Sequence, residues 1–238
     1  MNRAARLAVR PVGRERTPLI CIDNFAVDTQ GLVAAARDNA AYGPDPTSRY
    51  PGVRARLPEA YVRAVVGSLL RLLFEVYKVP TSFGLKIVNA VYSLITTAEA
   101  NLEPPQRNPH FDSVRPHYLA ILHYLGEGPF CDTGLFRHRE TGFESLSAAR
   151  MDSYAEARAR YEAAHGEPPC AYIKDSNDQY ELYDRIEYRP NRLVVYPGAV
   201  LHSGLVDPDI DISADPVHGR LTANLFVDFV EAGAKRHE

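Results

Sequence analysis

The last two thirds of the chain consist of short runs rich in β-branched and aromatic residues, separated by Pro, Gly, Asn and Asp. Such runs, with turn residues between them, are typical of β-strands. Because few helical patterns interrupt them, they predict an antiparallel jelly roll or barrel. The predicted strands cover 83–97, 118–125, 133–137, a run ending near Tyr172, 180–188, 192–196, 199–205 and 220–230.

The first 80 residues have a different pattern. After a short strand at 19–25, Asp28 can cap a helix to about residue 40, and apolar residues at helical spacing predict a second helix over 58–77. The stretch 42–57 is rich in Pro, Gly and Arg and predicts an irregular loop. We therefore predict one domain over 1–238, with a mainly helical N-terminal extension at 1–80 packed on a β core at 81–238 that carries a helical insertion at 145–165.

Charge and hydropathy narrow the classes of partner. The formal net charge of -3 gives no electrostatic reason to expect a nucleic-acid partner. No apolar run approaches the roughly 20 residues that span a bilayer, and no secretion signal follows the first Met, so we expect a cytoplasmic protein without a membrane partner. The arginines at the chain start predict a solvated, partly disordered terminus: Arg3, Arg6, Arg10, Arg14 and Arg16.

His110 and Asp112 are separated by one residue, so on an extended backbone their side chains point the same way. An imidazole and a carboxylate suit a divalent metal ion, and a second, distant histidine completes the two-His-one-carboxylate triad of non-haem iron sites. The pair alone is weak evidence, because His138-Arg139-Glu140 and His165-Gly166-Glu167 have the same form. His202, at the end of a short apolar strand, can face the first pair across a barrel. The alternative for His202 is a hydrogen-bonded histidine at the barrel rim.

A polar face is predicted on the last strand, where alternation places Arg220, Thr222 and Asn224 on one side. An unpaired buried arginine is costly, so this face needs a partner. A carboxylate ligand fits, because the guanidinium fork matches a carboxylate and a nearby hydroxyl can donate to the same anion. The alternatives are a solvent-facing polar side, or a salt bridge from the arginine to Asp207, Asp209, Asp211 or Asp215.

Taken in order, His110-x-Asp112, the distant His202 and Arg220-x-Thr222 resemble the Fe(II)- and 2-oxoglutarate-dependent dioxygenase superfamily, especially its prolyl-hydroxylase-like branch. The resemblance covers about 83–230 and includes the strand at 118–126 and the Thr-Gly-Leu-Phe turn at 133–136. It implies a double-stranded β-helix, which is a cupin-like jelly roll flanked by helices.

The same resemblance implies a set of cofactors and their ligands. Fe(II) would be held by His110, Asp112 and His202, which makes these three the catalytic centre, and O2 would be a co-substrate. The co-substrate 2-oxoglutarate would be held by Arg220 and Thr222, with a further hydrogen bond from Tyr124.

The reaction implied by the resemblance is oxidative decarboxylation of 2-oxoglutarate coupled to hydroxylation of a small molecule, an amino acid or a peptidyl side chain. Two alternatives stay open: a cupin-type metal enzyme that does not use 2-oxoglutarate, and a non-catalytic binding module. The interval between the distal histidine and the arginine is longer than is usual in the superfamily, which favours a specialised subgroup. Candidate substrate contacts are Tyr92, Gln106, Arg137 and His138.

Overall fold

The structure is a computed structural model that describes residues 2–38, 40–45 and 48–231. Its helices are α1 (Gln30–Asp38), α2 (Glu59–Tyr77) and α3 (Met151–His165), with short 3-10 helices at Glu99–Asn101, Pro104–Arg107 and Ala148–Arg150. Its strands are β1 (Arg6–Val12), β2 (Thr17–Asp23), β3 (Gly43–Pro44), β4 (Gly52–Arg56), β5 (Phe83–Ile95), β6 (Tyr118–Tyr124), β7 (Thr133–His138), β8 (Tyr180–Ile186), β9 (Leu193–Pro197), β10 (His202–Gly204) and β11 (Thr222–Glu231).

The strands form two antiparallel sheets. The large sheet has the order β1-β2-β9-β6-β11-β5-β4-β3, and the small sheet has the order β10-β7-β8. A bridge between His110 and His202 adds the segment around His110 to the small sheet, next to β10. The segment around His110 lies between β5 and β6, so from β5 to β11 the chain passes back and forth between the sheets, except that β7 and β8 follow one another in the small sheet. This is a double-stranded β-helix, so the predicted fold class is confirmed.

Strand β6 lies in the middle of the large sheet and is buried along its whole length, because both faces of the sheet are covered. Leu119 and Ile121 point to one side, where they share a core with Leu69 of α2. Leu122 and Tyr124 point to the other side, into the space between the two sheets. On the outside of the small sheet, α3 is anchored by its buried Tyr154 and Ala157.

The first 80 residues contain more β-structure than the sequence predicted. Both helices are present, and the Gly31 N–H donates to Asp28 at 2.8 Å, which confirms the predicted cap. The prediction of an irregular loop at 42–57 is wrong, because β3 and β4 form there and pair with the large sheet. The prediction of partial disorder in the arginine-rich start is also wrong, because Arg6–Val12 pairs with Thr17–Asp23 as a hairpin, although most of Arg6–Val12 is solvent-exposed, as predicted. A mainly helical extension is therefore an incomplete description.

Both missed segments lie towards the edges of the large sheet, where exposed charged residues interrupt the apolar alternation that identifies a strand. The predicted run ending near Tyr172 is also wrong, because the described chain forms no strand between α3 and β8. Some predicted segments extend beyond the described residues. The predicted domain includes residues 1 and 232–238, the predicted first helix includes residue 39, and the predicted loop includes residues 46–47, none of which the structure describes. Within the described part of the chain, no helix is long and apolar enough to cross a membrane.

His123 lies on the helix-facing side of β6 and is fully buried. Its Nε2 donates to Asn191 Oδ1 at 3.0 Å, and its Nδ1 therefore accepts from the Tyr61 hydroxyl at 2.8 Å. The Asn191 oxygen is identified by the Ala26 N–H that also donates to it. Burial lowers the pKa of His123 to about 4, partly opposed by the hydrogen bond to Asn191. The neutral ring is thus fully hydrogen-bonded without a charge.

We expect this histidine to make the protein less stable in mild acid. Since an unfolded histidine has a pKa near 6.5, the unfolded state binds more protons between pH ~4 and ~6.5, and stability falls as the pH drops through this range. Between pH 7.5 and 5 the loss should be about 2 kcal/mol from this residue. Urea unfolding at both pH values should show a smaller loss in His123→Gln than in wild type and in the exposed control His165→Gln. Equal losses in all three proteins would contradict the assignment.

Candidate active site

A cavity of about 590 Å³ lies between the two sheets. Its walls come from the large sheet, the small sheet and the connections that precede β4 and β6. Polar and charged lining residues lie close to aromatic ones, as is usual for small-molecule sites. They include Tyr50, Arg54, Gln106, His110, Phe111, Asp112, Tyr118, Thr133, Tyr196, His202, Arg220, Thr222, Asn224 and Phe226.

His110, Asp112 and His202 meet on the wall of this cavity. The backbones of the two histidines pair in an antiparallel bridge, with N–H to O distances of 2.9 and 2.8 Å, so their side chains lie on the same face. Their ring centroids are 4.3 Å apart. Each histidine Nε2 lies 3.9 Å from one Asp112 carboxylate oxygen, and one ligand atom from each of the three residues lies within 4.8 Å of the others.

The hydrogen bonds of this cluster prepare it for a cation. His202 Nδ1 donates to the Val200 carbonyl at 2.9 Å, so the lone pair of the neutral ring is on Nε2, which faces Asp112. Asp112 Oδ2 is buried and has no hydrogen-bond donor among the described residues. His202 Nε2 and Asp112 Oδ2 thus face each other at 3.9 Å, which is too far apart for a direct hydrogen bond. A divalent metal ion satisfies both.

The local electrostatics agree with this interpretation. Burial raises the pKa of the Asp112 carboxyl, against smaller opposing effects of His202 and Arg54. Desolvation by the surrounding protein lowers the pKa of His110 well below its usual value, and His202 and Arg54 lower it further, although 54% of the side chain is accessible. A neutral imidazole is the form that binds a metal. In the described part of the chain, no other group of three His, Cys, Asp or Glu residues is arranged to hold an ion.

Arg220 also lines the cavity, directly before β11 of the large sheet, and is only 5% exposed. Its Nε and Nη2 both donate to the Cys131 carbonyl at 3.2 Å, and no described carboxylate lies within ion-pair distance. The alternative of a salt bridge to a nearby aspartate is therefore wrong; Asp211 instead accepts from the backbone N–H groups of Cys131 and Asp207. The alternative of a solvent-facing arginine is excluded by its burial.

Three hydroxyl groups surround this arginine or line the cavity beside it. Thr222 lines the cavity, and its hydroxyl makes a long contact of 3.4 Å to the Ser93 carbonyl. Tyr124, in contrast, bonds through its hydroxyl to Thr133, and its ring lies 5.6 Å from the guanidinium of Arg220. Tyr124 thus supports the arginine from the side. Tyr50, which the sequence did not identify, has a buried hydroxyl without a partner among the described residues.

The four predicted substrate contacts are placed differently from one another. Gln106 lines the cavity, but its amide oxygen accepts from Glu103 and its nitrogen donates to the Arg49 carbonyl, so it stabilises the wall. Tyr92, Arg137 and His138 do not line the cavity. The prediction that these three residues contact a substrate is therefore corrected.

Each of these three side chains has a structural partner. The Tyr92 hydroxyl donates to the Leu32 carbonyl at 3.1 Å, on the helix-covered side of the sheet. Arg137 is buried between Glu144 and Glu181, with ion pairs to both. His138 packs against Tyr154 and Tyr180 under α3.

The two other His-x-acid pairs are also outside the cavity. Glu140 pairs with Arg160 on the surface at 2.7 Å. His165 lies at the exposed end of α3, and its ring stacks on Tyr161. Neither pair is brought to a third ligand, so only the pair at 110–112 forms a metal-type cluster among the described residues.

The chain is similar to one family and to several solved structures. The model of the "Family of unknown function (DUF6445)" matches residues 3–227. No curated protein sequence matches the chain. Similar structures include HygX from Streptomyces hygroscopicus, solved with nickel, 2-oxoglutarate and hygromycin B bound, at 12% identity and a TM-score of 0.47, covering 91% of this chain and 87% of HygX.

AviO1 from Streptomyces viridochromogenes Tue57 is also similar, at 12% identity and a TM-score of 0.43, covering 98% of this chain and 91% of AviO1. EctD from S. alaskensis, solved with bound Fe, has 12% identity and a TM-score of 0.41, covering 96% of this chain and 85% of EctD. At these scores the similarity does not extend to a function.

Proposed function

We propose that this chain, which belongs to the family of unknown function DUF6445, is an iron-dependent oxygenase that couples oxidative decarboxylation of 2-oxoglutarate to hydroxylation of a substrate. One observation supports this proposal above all. A two-His-one-carboxylate cluster and a buried arginine, which has no carboxylate partner in the described part of the chain, line the same cavity. The first suits a non-haem iron ion, and the second suits the carboxylate at the far end of 2-oxoglutarate.

The residues present fit a metal ion. His110, Asp112 and His202 would hold Fe(II) on one face, which leaves the cavity side of the ion to small-molecule ligands. Bound iron supplies a Lewis acid and a redox centre for O2 chemistry. The Val200 carbonyl orients the ring of His202, and the bridge to β10 fixes the backbone of His110, so both ligands are held before the ion binds.

The rest of the cavity would position the two organic molecules and exclude water. Arg220 would bind the distal carboxylate of 2-oxoglutarate, with hydroxyl donors from Thr222 and Tyr50. Burial raises the pKa of Tyr50 to about 12, so this hydroxyl keeps its proton and donates at neutral pH. Apolar side chains such as Leu122 form the intervening wall. The cavity volume falls within the range of about 300–1,000 Å³ that is typical of small-molecule sites.

The proposal is tested by mixing the protein with Fe(II) and 2-oxoglutarate without oxygen. We expect the visible metal-to-ligand charge-transfer band of an iron chelate of a 2-oxo acid, and we expect His202→Ala to abolish it. His165→Ala, at a surface histidine, should keep the band. Absence of the band in wild type, or its persistence in His202→Ala, would overturn the proposal. Metal binding without the band would instead indicate a metal enzyme that does not use 2-oxoglutarate.

A further inference from the structure

Arg54 is a second arginine on the cavity wall, and the proposed reaction does not use it. It lies on β4, which pairs with β5 so that Arg54 is opposite Ser93. Ser93 is opposite Thr222 of β11 in turn. Because directly opposed residues in a sheet share a face, Arg54 and Thr222 project into the same space between the sheets.

The guanidinium of Arg54 is held in a fixed position. Its Nη1 donates to Asp45 at 3.0 Å, and its planar group lies over the ring of Tyr50 at 4.6 Å. The ring of Phe226 lies 5.9 Å away. The side chain is only 10% exposed. A largely buried ion pair and a stacked ring thus fix the arginine before any ligand binds.

One edge of this guanidinium has no partner among the residues that the structure describes. Its Nε is buried, and neither Nε nor Nη2 has a hydrogen-bond acceptor among the described residues. Arg192 shows what this edge of an arginine binds elsewhere in the protein: its Nε and Nη2 donate to the two carboxylate oxygens of Asp23 at 2.5 and 3.1 Å. Buried donors without acceptors are rare and costly. The free edge of Arg54 therefore indicates a ligand with two oxygens in one plane.

The surroundings of Arg54 indicate the remainder of that ligand. Phe226 and Tyr118, whose rings are stacked at 6.2 Å, line the cavity together with Phe111. We propose that the substrate is a small carboxylic acid whose carboxylate is held by the Nε–Nη2 edge of Arg54 and whose apolar body lies against Phe226 and Tyr118. This inference rests on the proposed oxygenase function and names the substrate class of the same site.

The positions of the two arginines assign each to a different carboxylate. The rings of Tyr124 and Tyr188 lie within 6 Å of the Arg220 guanidinium, and this side chain is only 5% exposed. The charge of Arg54, unlike that of Arg220, lowers the pKa values of His110 and Asp112, so Arg54 lies nearer the metal-type cluster. The distal carboxylate of the co-substrate would thus lie at Arg220, and the substrate carboxylate at Arg54.

Matched acid and amide probes test this assignment by calorimetry. The probes are 3-phenylpropanoate and 3-phenylpropanamide, titrated without oxygen into protein loaded with Fe(II) and 2-oxoglutarate, and into protein with neither. We expect the acid to bind at least about tenfold more tightly than the amide, as a charge-assisted pair of hydrogen bonds allows. Arg54→Gln should remove the preference. Arg56→Gln, at an exposed arginine on the same strand, should retain it.

The loss of an ion-pair partner could unfold Arg54→Gln, so the double variant Arg54→Gln/Asp45→Asn replaces the pair by neutral groups and is measured alongside. The wild-type comparison of acid and amide needs no variant at all. Equal binding of the two probes to wild type, or a preference that survives in both variants, would overturn the inference. So would a weaker affinity of Arg54→Gln for 2-oxoglutarate itself. A preference that depends on Arg54, found without the visible iron band, would support the carboxylate site and overturn the oxygenase.

Discussion

Replacement of Asp112 by alanine is expected to abolish iron binding without unfolding the protein. Asp112 would supply the one anionic ligand of the metal, and loss of groups that merely support metal ligands already costs about 10–100-fold in affinity. We therefore expect a loss of more than about 100-fold, together with loss of 2-oxoglutarate consumption. Fe(II) affinity and succinate formation are the measurements.

The stability of the same variant separates function from folding. Asp112 Oδ2 is buried with no donor among the described residues, and burial raises the pKa of this carboxyl, so the carboxylate is not a source of stability in the metal-free protein. The melting temperature of metal-free Asp112→Ala should equal or exceed that of wild type. Glu140→Ala, which removes the acid of the surface His-x-acid pair, is the matched control and should keep full iron affinity. Normal iron affinity in Asp112→Ala would contradict the proposed centre.

Replacement of Arg220 by glutamine is expected to weaken 2-oxoglutarate binding and to leave iron binding intact. Truncating one partner of a buried, hydrogen-bonded charge pair costs about 2–5 kcal/mol, so the KM for 2-oxoglutarate should rise by a factor of about 30 or more. Arg220→Lys should give an intermediate value, because an ammonium keeps the charge but not the planar fork. Steady-state kinetics and anaerobic Fe(II) titration measure the two effects.

Arg192 offers a control for the general effect of removing a buried arginine. It is 8% exposed and is already paired with Asp23 away from the cavity. Arg192→Gln should lower the melting temperature and leave the KM for 2-oxoglutarate unchanged. An unchanged KM in Arg220→Gln, or an equal rise in the Arg192 variant, would contradict the assignment of Arg220.

The site was predictable where its residues follow a local pattern. His110 and Asp112 share a face because they are two residues apart on extended backbone, and Arg220 and Thr222 share a face for the same reason. Arg54 and Tyr50 were missed, because the short strand β4 is hidden in a stretch rich in Pro, Gly and Arg. An apolar-polar alternation over Val53-Arg54-Ala55 is the one signal that could have indicated that Arg54 lies on a strand.

The predicted substrate contacts were wrong for a different reason. Tyr92 and Arg137 lie on strands that border the cavity region, and sequence position alone does not say which face of a strand is turned inward. In the structure, Tyr92 points towards α1 and Arg137 towards two glutamates. An inward or outward direction depends on what covers each face of the sheet, which is a property of the assembled fold.

The sequence by itself determined the β-rich class, the two main N-terminal helices and the spacing of the metal-ligand and carboxylate-binding pairs, because strand alternation, helical periodicity and capping are local properties of the chain. Only the tertiary structure decided that His202 pairs with His110 and that Arg54 lines the cavity. It also decided that Arg220 binds the Cys131 carbonyl and no carboxylate among the described residues. These facts depend on pairing between distant segments, which the order of the two sheets places side by side and no local pattern encodes.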